Sequence, residues 1–157
     1  MKKLALLILL MMIFQSSVFS RPVVFNDDGK FGLKDENGNI VVKAEYKKLI
    51  RLGESGWIIQ KGSKFGIMND EGKILVEPKY NRADRVLGKF AKLTKGEKNG
   101  LFDEKGFVIL PPEYSSIDLL FGGMFLTCKN YKYGVTDFNG QPILDNIFDD
   151  IYMPKPN

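Results

Sequence analysis

Histidine is absent from this 157-residue chain, and cysteine occurs once, as Cys128. Without an imidazole there is no histidine general base and no histidine metal ligand, so Ser-His-Asp and Cys-His nucleophile systems are excluded. A single cysteine cannot close an internal disulfide, so stability has to come from burial. Cys128 falls on the same repeat column as Gln60 and Thr94 and has only Lys129 as a cationic neighbour, which reads as an ordinary strand position rather than an activated thiol. A strong charge of one sign is lacking too: the formal net charge is +4, and it drops by two if Lys2 and Lys3 are removed. That balance is too mild to argue for nucleic acid as a partner. At 44% hydrophobic residues the chain can close a core without metals or staples.

Long apolar runs are scarce as well. The only one, residues 4–14, is too short to span a hydrocarbon layer of ~30 Å. It follows Lys2 and Lys3 and precedes a polar stretch in which Val18 and Ser20 are small enough for a signal peptidase site. The expectation is a signal peptide over residues 1–20, cleavage after Ser20, and a single exported domain over residues 21–157, periplasmic or extracellular. No cysteine near the cut carries a lipid, and no later segment is apolar enough to anchor the product, so no membrane anchor is expected after cleavage.

What the chain does have is glycine at a fixed interval. Gly32, Gly66, Gly100 and Gly134 are each 34 residues apart, as are Gly38, Gly72, Gly106 and Gly140, and the aromatic series Tyr46, Tyr80, Tyr114 and Phe148. Apolar columns keep the same step: Leu33, Ile67, Leu101, Val135, and then Val42, Val76, Leu110, Leu144. Counted from Val23, the units are 23–56, 57–90, 91–124 and 125–157. The signature reads KFGLKDENGNIVVKAEY, KFGIMNDEGKILVEPKY, KNGLFDEKGFVILPPEY and KYGVTDFNGQPILDNIF. These strings resemble the WG repeat of bacterial exported and surface proteins, although the aromatic before the first glycine is Phe31, Phe65, Asn99 and Tyr133 here. The resemblance implies a repeat scaffold used for interactions and implies no reaction.

Within a unit, Ile40, Val41 and Val42 and their equivalents are short, apolar and bounded by turn residues, which predicts strands. The Asp35-Glu36-Asn37-Gly38 stretch predicts a hairpin turn with glycine at positive φ. Pro78, Pro111 and Pro112 are expected to end the second hairpin strand, because proline cannot donate to a ladder. The consecutive apolar residues Val108, Ile109 and Leu110 suggest that this strand is buried on both faces. A third strand, typified by Trp57, Ile58 and Ile59, precedes the hairpin. The expected fold is all-β: four repeats of three short antiparallel strands, stacked as an open or barely closed β-solenoid or, alternatively, closed as a small propeller-like ring.

No residue set amounts to an active site, so the chain is read as a non-enzyme without a cofactor. The oxygen-rich turns at Asp35 and Asp137 lack the acidic ligand that a calcium loop needs at its twelfth position, where Tyr46 and Phe148 stand. Asp84, Asp118, Asp149 and Asp150 lie near equivalent places in several units, whereas glycoside hydrolysis needs one asymmetric pair. The feature with functional shape is the lysine column Lys30, Lys64, Lys98 and Lys132, joined by Lys61, Lys95 and Lys129. It reads either as a basic stripe for an anionic partner or as a solvated strand edge. Trp57 is singular in its column and is a second candidate contact, while the tyrosine column reads as core anchors. The expected function is an interaction module for a protein or glycan of the cell envelope; the alternative is a structural or self-assembling envelope protein without a ligand.

Overall fold

The computed structural model describes residues 21–152; the predicted signal segment and its cleavage site lie outside the described residues. Four small antiparallel sheets follow one another along the chain. The first contains β1 (Val23–Asp27), β2 (Lys30–Lys34) and β3 (Ile40–Tyr46). The second contains β4 (Lys48–Leu52), β5 (Gly56–Lys61), β6 (Lys64–Asn69) and β7 (Ile74–Tyr80). The third contains β8 (Arg82–Val86), β9 (Phe90–Lys95), β10 (Lys98–Asp103) and β11 (Val108–Tyr114), and the fourth β12 (Ser116–Leu120), β13 (Met124–Lys129), β14 (Lys132–Asp137) and β15 (Pro142–Phe148). Each sheet is a simple meander with strands in sequence order.

Three of the four sheets therefore have four strands, where three were expected. The additional strands are β4, β8 and β12, and RADRV of β8 has no apolar alternation of its own. They are strands because the next strand pairs with them: Lys48 to Leu52 lie opposite Gln60 to Gly56 in unbroken register. One residue links β3 to β4, and Lys47 N donates to Gln60 O at 2.8 Å, so the chain leaves one sheet and enters the next without a loop.

The turns behave as their residues dictate. Gly38, Gly72, Gly106 and Gly140 have φ of 83°, 84°, 80° and 81°, a region that side-chain-bearing residues avoid. An aspartate opens each such turn in three sheets: Asp35, Asp103 and Asp137 each accept two backbone N–H groups on Oδ1, at 2.8 and 2.9 Å. In the second sheet Asn69 Oδ1 accepts from Lys73 N at 2.8 Å. The side-chain amide of Asn39, and then backbone N–H groups of the turn, hold the Asp35 carboxyl below its ordinary pKa. These carboxylates complete turns, which is the use that short acidic side chains commonly find there.

The second glycine column has a different cause. Opposite Gly66 the register jumps: Phe65 faces Tyr80 and Ile67 faces Val76, so three residues of β7 oppose one of β6. This bulge lays β7 over the glycine, and a Cβ at Gly66 would stand 2.3 Å from Val76 O. Pro78, Pro111 and Pro112 sit inside these bulges rather than at strand ends, since β7 and β11 continue to Tyr80 and Tyr114. A bulged residue is out of register with the ladder, so a missing N–H is tolerated there.

Packing explains which faces are apolar. One core cluster joins Leu33, Val42 and Tyr46 of the first sheet to Trp57, Ile59 and Met68 of the second. Another joins Ile58, Ile67, Val76 and Tyr80 to Ala91, Leu93 and Phe102, and a third joins Phe90, Leu101 and Leu110 to Ile117 and Phe125. Trp57 and Ile59 thus look toward the first sheet while Ile58, between them, looks toward the third. Burial on both faces belongs to β5, whose first four residues are all buried, and not to the hairpin strand in which it was expected. In β11, Val108 is 56% exposed and only Leu110 of its apolar triplet is buried. Each fully buried Leu or Ile contributes on the order of 2 kcal/mol, so every sheet-to-sheet junction supplies several such terms.

Candidate functional site

The lysine columns meet at the tips of the hairpins that join β1 to β2, β5 to β6, β9 to β10 and β13 to β14. All four are two-residue turns. Asp28 and Gly29 (φ 48° and 74°) and Asn130 and Tyr131 (φ 52° and 62°) take left-handed φ at both places, whereas Gly62 (φ 61°) and Gly96 (φ 60°) do so at the first place only. The register puts Lys61 directly opposite Lys64, Lys95 opposite Lys98 and Lys129 opposite Lys132. In the first sheet Asp27 stands opposite Lys30 instead. Like charges facing across a ladder destabilise it by some tenths of a kcal/mol.

Carboxylates relieve that repulsion unevenly. Lys61 is paired with Glu45 at 3.1 Å, Lys129 with Glu113 at 2.5 Å, and Lys132 with Asp149. The hydrogen bond from Lys129 to Glu113, followed by the carboxylate's charge, raises the lysine pKa above its ordinary value. Glu45 and Glu113 share one repeat column, and its member between them is Lys79. Among the described residues Lys64, Lys95 and Lys98 have no ion-pair partner. The centre of the stripe is therefore basic and uncompensated, while its last tip is largely neutralised.

Beside it stands a residue that sequence reasoning passed over. Tyr131 is 93% exposed and holds φ 62°, a conformation that a bulky side chain adopts only at a cost. Together with Glu97, Lys98, Ser115 and Asn130 it lines a shallow groove. The signal was a tyrosine where the other tips carry Gly29, Ser63 and Glu97.

Trp57 lies elsewhere. It is 5% exposed, its indole N–H donates to Asp70 Oδ1 at 2.7 Å, and the Arg51 guanidinium lies 4.8 Å from its ring centroid. Arg51 in turn donates to both oxygens of Asp70, at 2.5 and 3.3 Å. Trp57 is thus the anchor of a buried network rather than an exposed surface. Asn99, in the aromatic column, is also buried; its amide donates to Ser115 O at 2.9 Å and its Oδ1 accepts from Thr94 Oγ1 at 2.8 Å. Hydrogen bonds there replace the packing of an aromatic ring. Of the repeated acids, Asp84 is held by Arg82 at 3.1 Å and Asp149 by Lys132.

The tyrosine column is divided by its neighbours. Tyr46 and Tyr80 are each 4% exposed, whereas Phe148 is 39% exposed. Burial first, and the neighbouring Glu45 carboxylate second, push the Tyr46 phenol up to about 12, and burial raises Tyr80 as well. A phenol that ionises less readily when folded contributes stability in full below its unfolded pKa of about 10, and that contribution is lost as the pH rises through its folded value. Melting temperature should accordingly hold up to about pH 10 and then fall. The Tyr46→Phe variant should fall less steeply over that window in a pH series of thermal melts, and an unchanged slope would contradict the assignment.

Four small antiparallel sheets, each with the same turn chemistry and each sharing its core with the next, define an all-β repeat protein. The chain belongs to the WG containing repeat family, whose sequence profile matches residues 31–61, 65–98 and 100–133. The last matched stretch covers β12 and β13 and ends within β14, and the remainder of the fourth sheet repeats the strand order and aspartate turn of the others. Comparison with curated proteins returns no match.

Proposed function

We propose that the chain is an exported, non-catalytic interaction module of the cell envelope that binds an anionic partner, an acidic glycan or protein surface, across the hairpin tips of its second and third sheets. The observation that carries this reading is the facing lysine pairs, Lys61 with Lys64 and Lys95 with Lys98, of which only Lys61 meets a carboxylate. Side chains held opposite one another at like charge stay hydrated or meet an anion, and an anion returns the repulsion as binding energy. The exposed Tyr131 beside Lys98 adds an aromatic face of the kind that stacks on sugar rings. We read the four sheets as an open or barely closed solenoid, since the outward faces of β1 and β15 are exposed, with a closed ring as the alternative.

Retention on a heparin column at low salt tests the reading. Lys64→Gln with Lys98→Gln should leave thermal melting unchanged and lower retention roughly tenfold, and the parent's retention should fade as salt exceeds about 0.15 M, where the screening length is ~8 Å. Tyr131→Gly should raise stability by about 1 kcal/mol through relief of its backbone strain, yet weaken retention. Retention that is unaltered in both variants, or absent in the parent, reduces the stripe to a solvated edge.

A further inference from the structure

The repeat leaves one strand position empty at each end of the described chain. Among the described residues β1 is hydrogen-bonded only to β2, whereas its counterparts β5, β9 and β13 each carry a second partner, β4, β8 and β12. Val23 and Val24 on that open strand are 59% and 42% exposed. At the other end, β15 finishes at Phe148, and residues 150–152 occupy the repeat positions of Lys48, Leu49 and Ile50, the opening of β4, but join no ladder. Ile151 stands in the column of Leu49, Ala83 and Ile117, each of which packs into a sheet-to-sheet core. Leu144 and Phe148, the counterparts of Val42 and Tyr46, are 41% and 39% exposed, and Ile147 is 65% exposed.

We propose that copies of this chain join head to tail, residues 150–152 of one copy adding as the missing first strand to the free edge of β1 in the next. The chain itself forms this junction three times, which specifies the occupant and the register. Because Lys48, Leu49 and Ile50 pair with Gln60, Ile59 and Ile58, the repeat sets Asp150 opposite Asn26, Ile151 opposite Phe25 and Tyr152 opposite Val24 of the second copy. Leu144 and Phe148 then cover Val23 and Phe25 as Val42 and Tyr46 cover Trp57 and Ile59. Main-chain bonds along an open edge supply affinity, and alternate side chains entering the shared core supply register. The contact is heterologous, so it propagates unless the rotation closes it into a ring of copies. It also rests on removal of the signal segment, since residues 14–18 are the sequence counterpart of β4 for the first sheet.

The test uses the exported chain, with its N-terminus verified by intact mass. Light scattering should show average mass rising with concentration, and Ile151→Asp should weaken association at least tenfold while leaving thermal melting in place. Asn26→Cys in one preparation and Asp150→Cys in another, mixed under mild oxidation, should give a disulfide-linked heterodimer; the native Cys128 is buried and stays silent. A single-chain mass at every concentration overturns the proposal. So does a crosslink that forms only when both cysteines are on the same chain, because that places the strand in its own β1 edge.

Discussion

Replacing Gly66 with alanine should destabilise the protein by more than ~3 kcal/mol, beyond the usual range for an added methyl, and valine there should prevent folding. The added Cβ would lie 2.3 Å from Val76 O and 2.9 Å from Pro78 N, both main-chain atoms of the bulge that crosses the glycine. A flexible side chain can turn away, but this backbone is fixed by the ladder on one side and by Tyr80 in the core on the other. The same column supplies its own control, because at Gly100 the nearest atoms are 3.0 and 3.1 Å away, and Gly100→Ala should cost about half as much. A further contrast is Gly62, at a hairpin tip with nothing within 4 Å, where only the left-handed φ is at stake and alanine should cost about 1 kcal/mol. Denaturant melts of the three variants should rank in that order. Equal losses would mean that the close approach of the bulged strand does not set the requirement for glycine at Gly66.

Asp70→Ala should cost about 3–4 kcal/mol, the range for removing one member of a buried ion pair. The aspartate side chain is 7% exposed and accepts from the Trp57 indole and from two nitrogens of Arg51. Its loss leaves a buried N–H without an acceptor and a guanidinium, itself only 24% exposed, without a counter-charge. Asp70→Asn keeps an oxygen for the indole and should retain roughly half of the stability. Trp57 is the chain's only tryptophan, so its fluorescence reports the site directly. A red-shifted emission and a melting temperature lowered by roughly 10 °C are expected for the alanine variant. An unmoved emission would show that the indole does not depend on the carboxylate. The network is particular to the second sheet, since the repeat puts Glu36, Glu104 and Phe138 at the place of Asp70.

The candidate site was legible in its residues and not in its balance. The lysine column follows from the 34-residue period, but which lysines are compensated depends on Glu45, Lys79 and Glu113, more than a dozen residues away along the chain and adjacent only through the bulged strand. Tyr131 was hidden because a tyrosine in a turn carries no periodic signal; its exposure and its φ exist only in the folded tip. Trp57 was offered as a contact because it has no equivalent in its column, and that singularity has a buried cause in Asp70 and Arg51.

By itself the sequence determined the period and the hairpin turns with their positive-φ glycines, because these rest on local chemistry. An aspartate oxygen reaches amides two and four residues on, and a glycine takes a φ near 80° whatever the rest of the chain does. Tertiary structure alone decided the fourth strand of the last three sheets, the place of the prolines inside strands and the burial of each repeated aromatic. RADRV becomes a strand by pairing with Phe90 to Thr94, and Pro78 is tolerated because a bulge removes its neighbour from the ladder. Tyr80 is buried and Phe148 exposed at equivalent positions for the same reason: a repeat cannot cover its own face, so the environment of each residue is set by the sheet that follows it.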